Sequence, residues 1–157
     1  MNKKDTVVFD LDGTLLDTLE DLKNSVNYAM TQCGYPEHTL DEVRRYVGNG
    51  ILLLMQRAIP GGKDDPNFDK AFTLFKEHYG KHCNDTTKPY AGIMELLHTL
   101  KENNIKIAIV SNKADFAVKE LNAIYFKDLI LVAIGEKESE GIRKKPAPDT
   151  VIEALKQ

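Results

Sequence analysis

Three short apolar runs set the frame for this sequence: residues 6–9 (Thr-Val-Val-Phe), 105–110 (Ile-Lys-Ile-Ala-Ile-Val) and 129–134 (Leu-Ile-Leu-Val-Ala-Ile). Each is rich in β-branched residues and nearly apolar throughout, which is the pattern of a strand covered on both faces in a parallel sheet. Between the second and third, Phe116, Val118, Leu121 and Ile124 stand at helical spacing within residues 114–124. Before the second, Ile93, Leu96, Leu97 and Leu100 do the same. Buried strands alternating with helices make βαβ units, so the fold class is α/β.

Almost a hundred residues part the first run from the second, and they hold no convincing strand. Leu19, Leu22, Val26 and Met30 are spaced for a helix, an apolar block follows at 51–55, and Phe68, Phe72, Phe75 and Tyr79 repeat the pattern. A parallel crossover needs only about a dozen residues. The surplus is read as an inserted helical domain over residues 17–88, with hinges at 15–17 and 85–90. Residues 1–16 and 89–157 are left to build the α/β domain. Turns at Gly34-Tyr35-Pro36 and Pro60-Gly61-Gly62 punctuate the insertion.

Charge and composition narrow the partners. Lys and Arg number 21 against 24 Asp and Glu, with a pI near 5.8. That lacks the basic excess of a protein that binds phosphate backbones, so nucleic acid is not an expected partner. The apolar stretch that follows the basic start is cut off at Asp10, too short for a signal-peptide core, and no apolar run is long enough to span a membrane. Cys33 and Cys83 fit no CxxC spacing. A reduced, cytoplasmic protein without a cysteine metal site is expected.

The chemistry begins where the first strand ends, at Phe9-Asp10-Leu11-Asp12-Gly13-Thr14-Leu15. A carboxylate at the carboxyl end of a buried parallel strand stands in the crevice where α/β sheets bind ligands. Asp12 reaches the same crevice if the backbone turns at Gly13. Two carboxylates this close repel, and so call for a cation or for a division between ionised and protonated forms. A calcium loop also starts Asp-x-Asp, but it needs glycine at its sixth position and glutamate at its twelfth. Here the glycine is fourth and the twelfth residue is Asp21, so that reading fails.

The segment Asp10-Leu11-Asp12-Gly13-Thr14 after a strand resembles the first motif of the haloacid dehalogenase superfamily of phosphohydrolases. Ile109-Val110-Ser111-Asn112-Lys113 resembles its second motif, and Lys145-Pro146-Ala147-Pro148-Asp149 its third. The resemblance implies a Rossmann-like parallel sheet core with an α-helical cap inserted after the first motif. It also implies a Mg2+-dependent phosphatase acting on a small phosphorylated metabolite. Asp10 would attack phosphorus and form an aspartyl-phosphate, while Asp12 would protonate the leaving oxygen and later deprotonate water. Ser111, Asn112 and Lys145 would bind the phosphoryl group, with Lys145 also neutralising charge at Asp10. Mg2+ would be held by Asp10 and the main-chain carbonyl of Asp12. In the cap, Gly48, Asn49, Gly50 and Arg57 are similar to the corresponding segment of phosphoglycolate phosphatases, where Arg57 would meet a substrate carboxylate. A phosphotransferase of the β-phosphoglucomutase type would share Asp10, Asp12, Ser111 and Lys145 and remains the alternative, together with an inactive phosphatase-like fragment.

The family's fourth motif, an acidic pair after a further strand, has no counterpart between Lys145 and Gln157, which read as one short helix. A fragment of a longer parent is therefore expected, with the first strand left at an open sheet edge. Two other features take plain readings. His78 and His82 share a helix face beside Cys83, but no third ligand is evident, so a metal site is not expected there. Arg143 and Lys144 follow the acidic stretch 136–140 and read as solvated loop.

Overall fold

The structure, a computed structural model, describes residues 5–157; the basic start of the chain lies outside the described residues. The chain divides into two compact units, one of residues up to Leu16 with Pro89–Gln157 and one of Asp17–Lys88.

The first unit is built on a parallel sheet in the order β1 (Thr6–Phe9), β4 (Lys106–Ala114), β5 (Val132–Glu136). Its helices are α5 (Ile93–Glu102), α6 (Asp115–Tyr125) and α7 (Asp149–Leu155). β4 is central, and its two-residue period explains why it reads as apolar throughout. Ile107 and Ile109 enter one core cluster with Leu97 of α5, Val118 and Leu121 of α6, and Phe126. Ala108 and Val110 enter the opposite cluster with Ile134 and with Ala154 of α7. Full burial of a side chain such as Ile109, at 0% exposure, contributes about 1.5–3 kcal/mol. β1 pairs with β4 from Thr6↔Lys106 to Phe9↔Ile109 and is an edge strand among the described residues, half-buried along its whole length.

The third strand departs from the sequence reading. It starts at Val132, not Leu129, because the Leu129 and Ile130 amides both donate to Phe126 O and continue the turn after α6. Ile130 turns into the core, while Leu131 is 88% exposed. β4 in turn runs four residues beyond the expected end, through Ser111-Asn112-Lys113-Ala114, with a register shift against β5 between Val110 and Ala114.

The second unit contains α1 (Leu19–Gln32), α2 (Leu40–Tyr46), α3 (Ile51–Ala58) and α4 (Phe68–His82). Leu22, Val26, Ala29 and Met30 of α1 pack with Met55 of α3 and with Phe68, Ala71, Phe75 and Tyr79 of α4. α2 has no counterpart in the sequence reading, because it buries Val43 alone and so shows no apolar stripe. Its signal is a capping box instead: Thr39 Oγ1 accepts from the Glu42 amide, and the Glu42 carboxylate accepts from the Thr39 amide. Both boundaries between the units fall inside a two-stranded sheet of β2 (Leu16–Asp17) and β3 (Lys88–Pro89).

Candidate active site

Because Phe9 pairs with Ile109, the chain leaves β1 at Asp10 level with Val110 of β4. Lys145 spans the two strand ends. Its Nζ donates to Asp10 Oδ1 at 2.8 Å and to Val110 O at 2.9 Å. The lysine comes from the loop between β5 and α7, and the side chain of Asn112 fixes its main chain. The Lys145 amide donates to Asn112 Oδ1 at 2.9 Å, and Asn112 Nδ2 donates back to Lys145 O at 3.1 Å. The same loop is closed by Arg143, whose Nε and Nη2 reach the two carboxylate oxygens of Asp149 at 2.9 and 2.8 Å. That fork holds the Asp149 carboxyl below its ordinary range.

Asp12 is brought to the same end of the sheet by a tight turn. Gly13 has φ +74°, which any side chain would strain, and the amides of Thr14, Leu15 and Leu16 all donate to Leu11 O. Asp12 Oδ1 then accepts from Lys113 Nζ at 2.9 Å. Ser111 is 2% exposed, and its Oγ accepts the Lys113 amide at 3.2 Å, which leaves its hydroxyl proton to donate. Behind this strand end Asp115 opens α6. Burial works to raise its pKa, but the Lys119 ammonium and the Gly135 amide outweigh that and hold it low.

Asp10, Asp12, Ser111, Asn112 and Lys145 thus gather at one end of the sheet. Gly48, Asn49, Gly50 and Arg57 gather in the helical unit. There Arg57 donates to Tyr46 O at 2.8 Å and to Asn49 Oδ1 at 3.1 Å, clasping a loop in which Gly48 and Gly50 have φ +118° and +89°. Lys113, which the second-motif resemblance includes without a role, joins the cluster at the sheet end through Asp12. The available signal was its alternation with Ile109 and Ser111 on one face of an extended chain. His78 bonds Ser25 Oγ at 2.9 Å, and His82 bonds Asp85 Oδ2 at 2.7 Å, with the two rings stacked. Burial, reinforced by His82, keeps His78 below the usual histidine pKa.

Among the described residues no group of three or more His, Cys, Asp or Glu is placed to hold a metal. The donors beside Asp10 are hard oxygens, its carboxylate and the main chain of the turn. That set fits Mg2+, an ion that keeps several waters and binds through one or two carboxylates plus phosphate oxygens.

The fold and this cluster define an α/β protein with two carboxylate–lysine pairs at the carboxyl end of its parallel sheet. The haloacid dehalogenase-like hydrolase family matches residues 7–157, and the chain belongs to that family. The phosphoglycolate phosphatase of Nitrosospira multiformis is 32% identical over 156 residues, covering 96% of this chain and 68% of the relative. That of Aquifex aeolicus is 32% identical over 153 residues, covering 95% and 68%. That of Thiobacillus denitrificans is 36% identical over 113 residues, covering 69% of this chain and 50% of the relative. The chain therefore spans about half to two thirds of the length of these relatives. A crystal structure of a candidate phosphoglycolate phosphatase from Lactobacillus delbrueckii superposes with a TM-score of 0.87 at 32% identity, covering 98% of this chain and 73% of that one.

Proposed function

We propose that the protein is a Mg2+-dependent phosphatase that hydrolyses a small phosphomonoester, phosphoglycolate or a close analogue, through an aspartyl-phosphate. The observation that carries this reading is the contact of Lys145 Nζ with Asp10 Oδ1 at 2.8 Å, beside the Lys113–Asp12 pair. The names of the relatives at 32–36% identity support the substrate class.

The chemistry divides among the chain's own residues. Asp10 attacks phosphorus in line, so that a carboxylate oxygen–phosphorus bond forms while the ester P–O bond breaks. Asp12 gives a proton to the departing oxygen. A water then attacks the aspartyl-phosphate, its proton passes to Asp12, and Asp10 is released with phosphate. Lys145 offsets the negative charge that Asp10 and the phosphoryl group share, and Ser111 donates to a phosphoryl oxygen. Asn112 serves through Lys145, whose main chain it holds. Asp10 and the main-chain carbonyl of Asp12 would hold Mg2+, which would supply positive charge to offset that of the phosphoryl oxygens. The helical unit of residues 17–88 acts as the cap that selects substrate, with Gly48, Asn49, Gly50 and Arg57 as its contribution.

Phosphate release from phosphoglycolate and from a panel of sugar and glycerol phosphates tests this reading. Release should require Mg2+, stop on chelation and return when the ion is restored. No release from any ester with Mg2+ present overturns it, and isomerisation of a hexose phosphate would favour the phosphotransferase instead.

A further inference from the structure

We propose that Lys113 is a positioning residue for proton transfer at Asp12, an assignment that rests on the phosphatase reading above. Lysine is almost never buried without a partner, and the Lys113 side chain is 5% exposed with its ammonium 2.9 Å from Asp12 Oδ1. The Asp12 side chain is itself 17% exposed, so the pair is shielded from water on both sides. The lysine is also anchored at its main chain. Ser111 Oγ accepts its amide, and Gly135 passes so near that a Cβ there would stand 2.6 Å from Lys113 O. A cation on so rigid a mount fixes the rotamer of the carboxylate it holds.

The two lysines divide the work one to one. Lys145 contacts the carboxylate that bonds phosphorus, and Lys113 contacts the carboxylate that handles the proton. The ammonium on Oδ1 fixes the orientation of the Asp12 carboxyl. In the first half-reaction the Asp12 proton moves to the ester oxygen as the P–O bond breaks. In the second, a water proton moves to the Asp12 carboxylate as the water oxygen bonds phosphorus and Asp10 departs. Lys113 keeps its own protons in both.

The discriminating measurement compares two esters. Phosphoglycolate has an alkoxide leaving group that needs a proton; the p-nitrophenolate of p-nitrophenyl phosphate leaves without one. Lys113→Met should lower kcat on phosphoglycolate by about 10²–10³-fold with KM within about threefold, the size expected of lost general acid–base catalysis. With p-nitrophenyl phosphate it should give a burst of one equivalent of p-nitrophenol and then slow turnover, since only the water step still needs Asp12. Adding Lys113→Met to Asp12→Asn should cost nothing further, because the lysine acts through that carboxylate. Lys113→Arg keeps the charge with altered geometry, and carries the same comparison should the methionine variant not fold. Equal losses on the burst and on phosphoglycolate, additive losses in the double variant, or a raised KM at unchanged kcat would each overturn the assignment. An inactive wild type overturns the phosphatase reading and the assignment together, whereas an active wild type with a uniform loss at Lys113 overturns the assignment alone.

Discussion

Asp10 and Asp12 sit two residues apart, yet each meets its own lysine, and that pairing lets two close carboxylates coexist at one strand end. Asp10→Asn keeps the shape and removes the proposed nucleophile. It should abolish phosphate release while leaving the circular dichroism spectrum and the melting temperature within error of wild type. A third aspartate carries weight elsewhere. Asp21 of α1 is 1% exposed and accepts from the amides and hydroxyls of both Thr86 and Thr87, just before β3. Burial would raise its pKa, but those four donors outweigh burial and hold it low. A carboxylate whose folded pKa lies below its unfolded value of about 3.9 stabilises the fold fully above about pH 5, and loses that contribution as pH falls through the lowered value. Urea melts of the wild type should therefore weaken between about pH 5 and pH 2, and Asp21→Asn should flatten that dependence. At pH 7, Asp21→Ala should cost about 2–4 kcal/mol, since it strands buried donors that had a charged acceptor.

The contact of β5 with α6 depends on one missing atom among the elements. A Cβ on Gly135 would lie 2.4 Å from Asp115 Cα and 2.6 Å from Lys113 O, both main-chain atoms that no side-chain rotation can move. Gly135→Ala should destabilise by about 3 kcal/mol in chemical denaturation, with phosphate release falling as well because the Lys113 main chain must shift. The cap of α2 predicts a smaller effect. Thr39→Ala removes the acceptor for the Glu42 amide and should cost about 1 kcal/mol by the same assay. Elements that bury a stripe were readable from spacing, as α1, α4, α5 and α6 were, because burial imposes the period. α2, with Val43 as its buried residue, was not. The start of β5 was misplaced for a related reason. Leu129, Ile130 and Leu131 are as apolar as a strand, and only the acceptance of two amides by Phe126 O makes them a turn.

Among the described residues the helical unit has a core built from helices alone, whereas the α/β unit packs one cluster on each face of its sheet. Phe75, fully buried in the helical core, should on truncation to Ala cost about 3–5 kcal/mol. Hydrogen exchange should show that loss in amides of residues 17–88 while β4 and β5 keep their protection. Apolar periodicity in the sequence was enough to give the α/β class and the helical insertion, because burial imposes the period, and the motifs around Asp10, Ser111 and Lys145 carried the resemblance to the family. Only the folded chain shows which lysine meets which carboxylate, that Asn112 holds the main chain of Lys145, and that Lys113 is buried. Those contacts join residues 33 to 135 positions apart, and no local period carries information over such a separation.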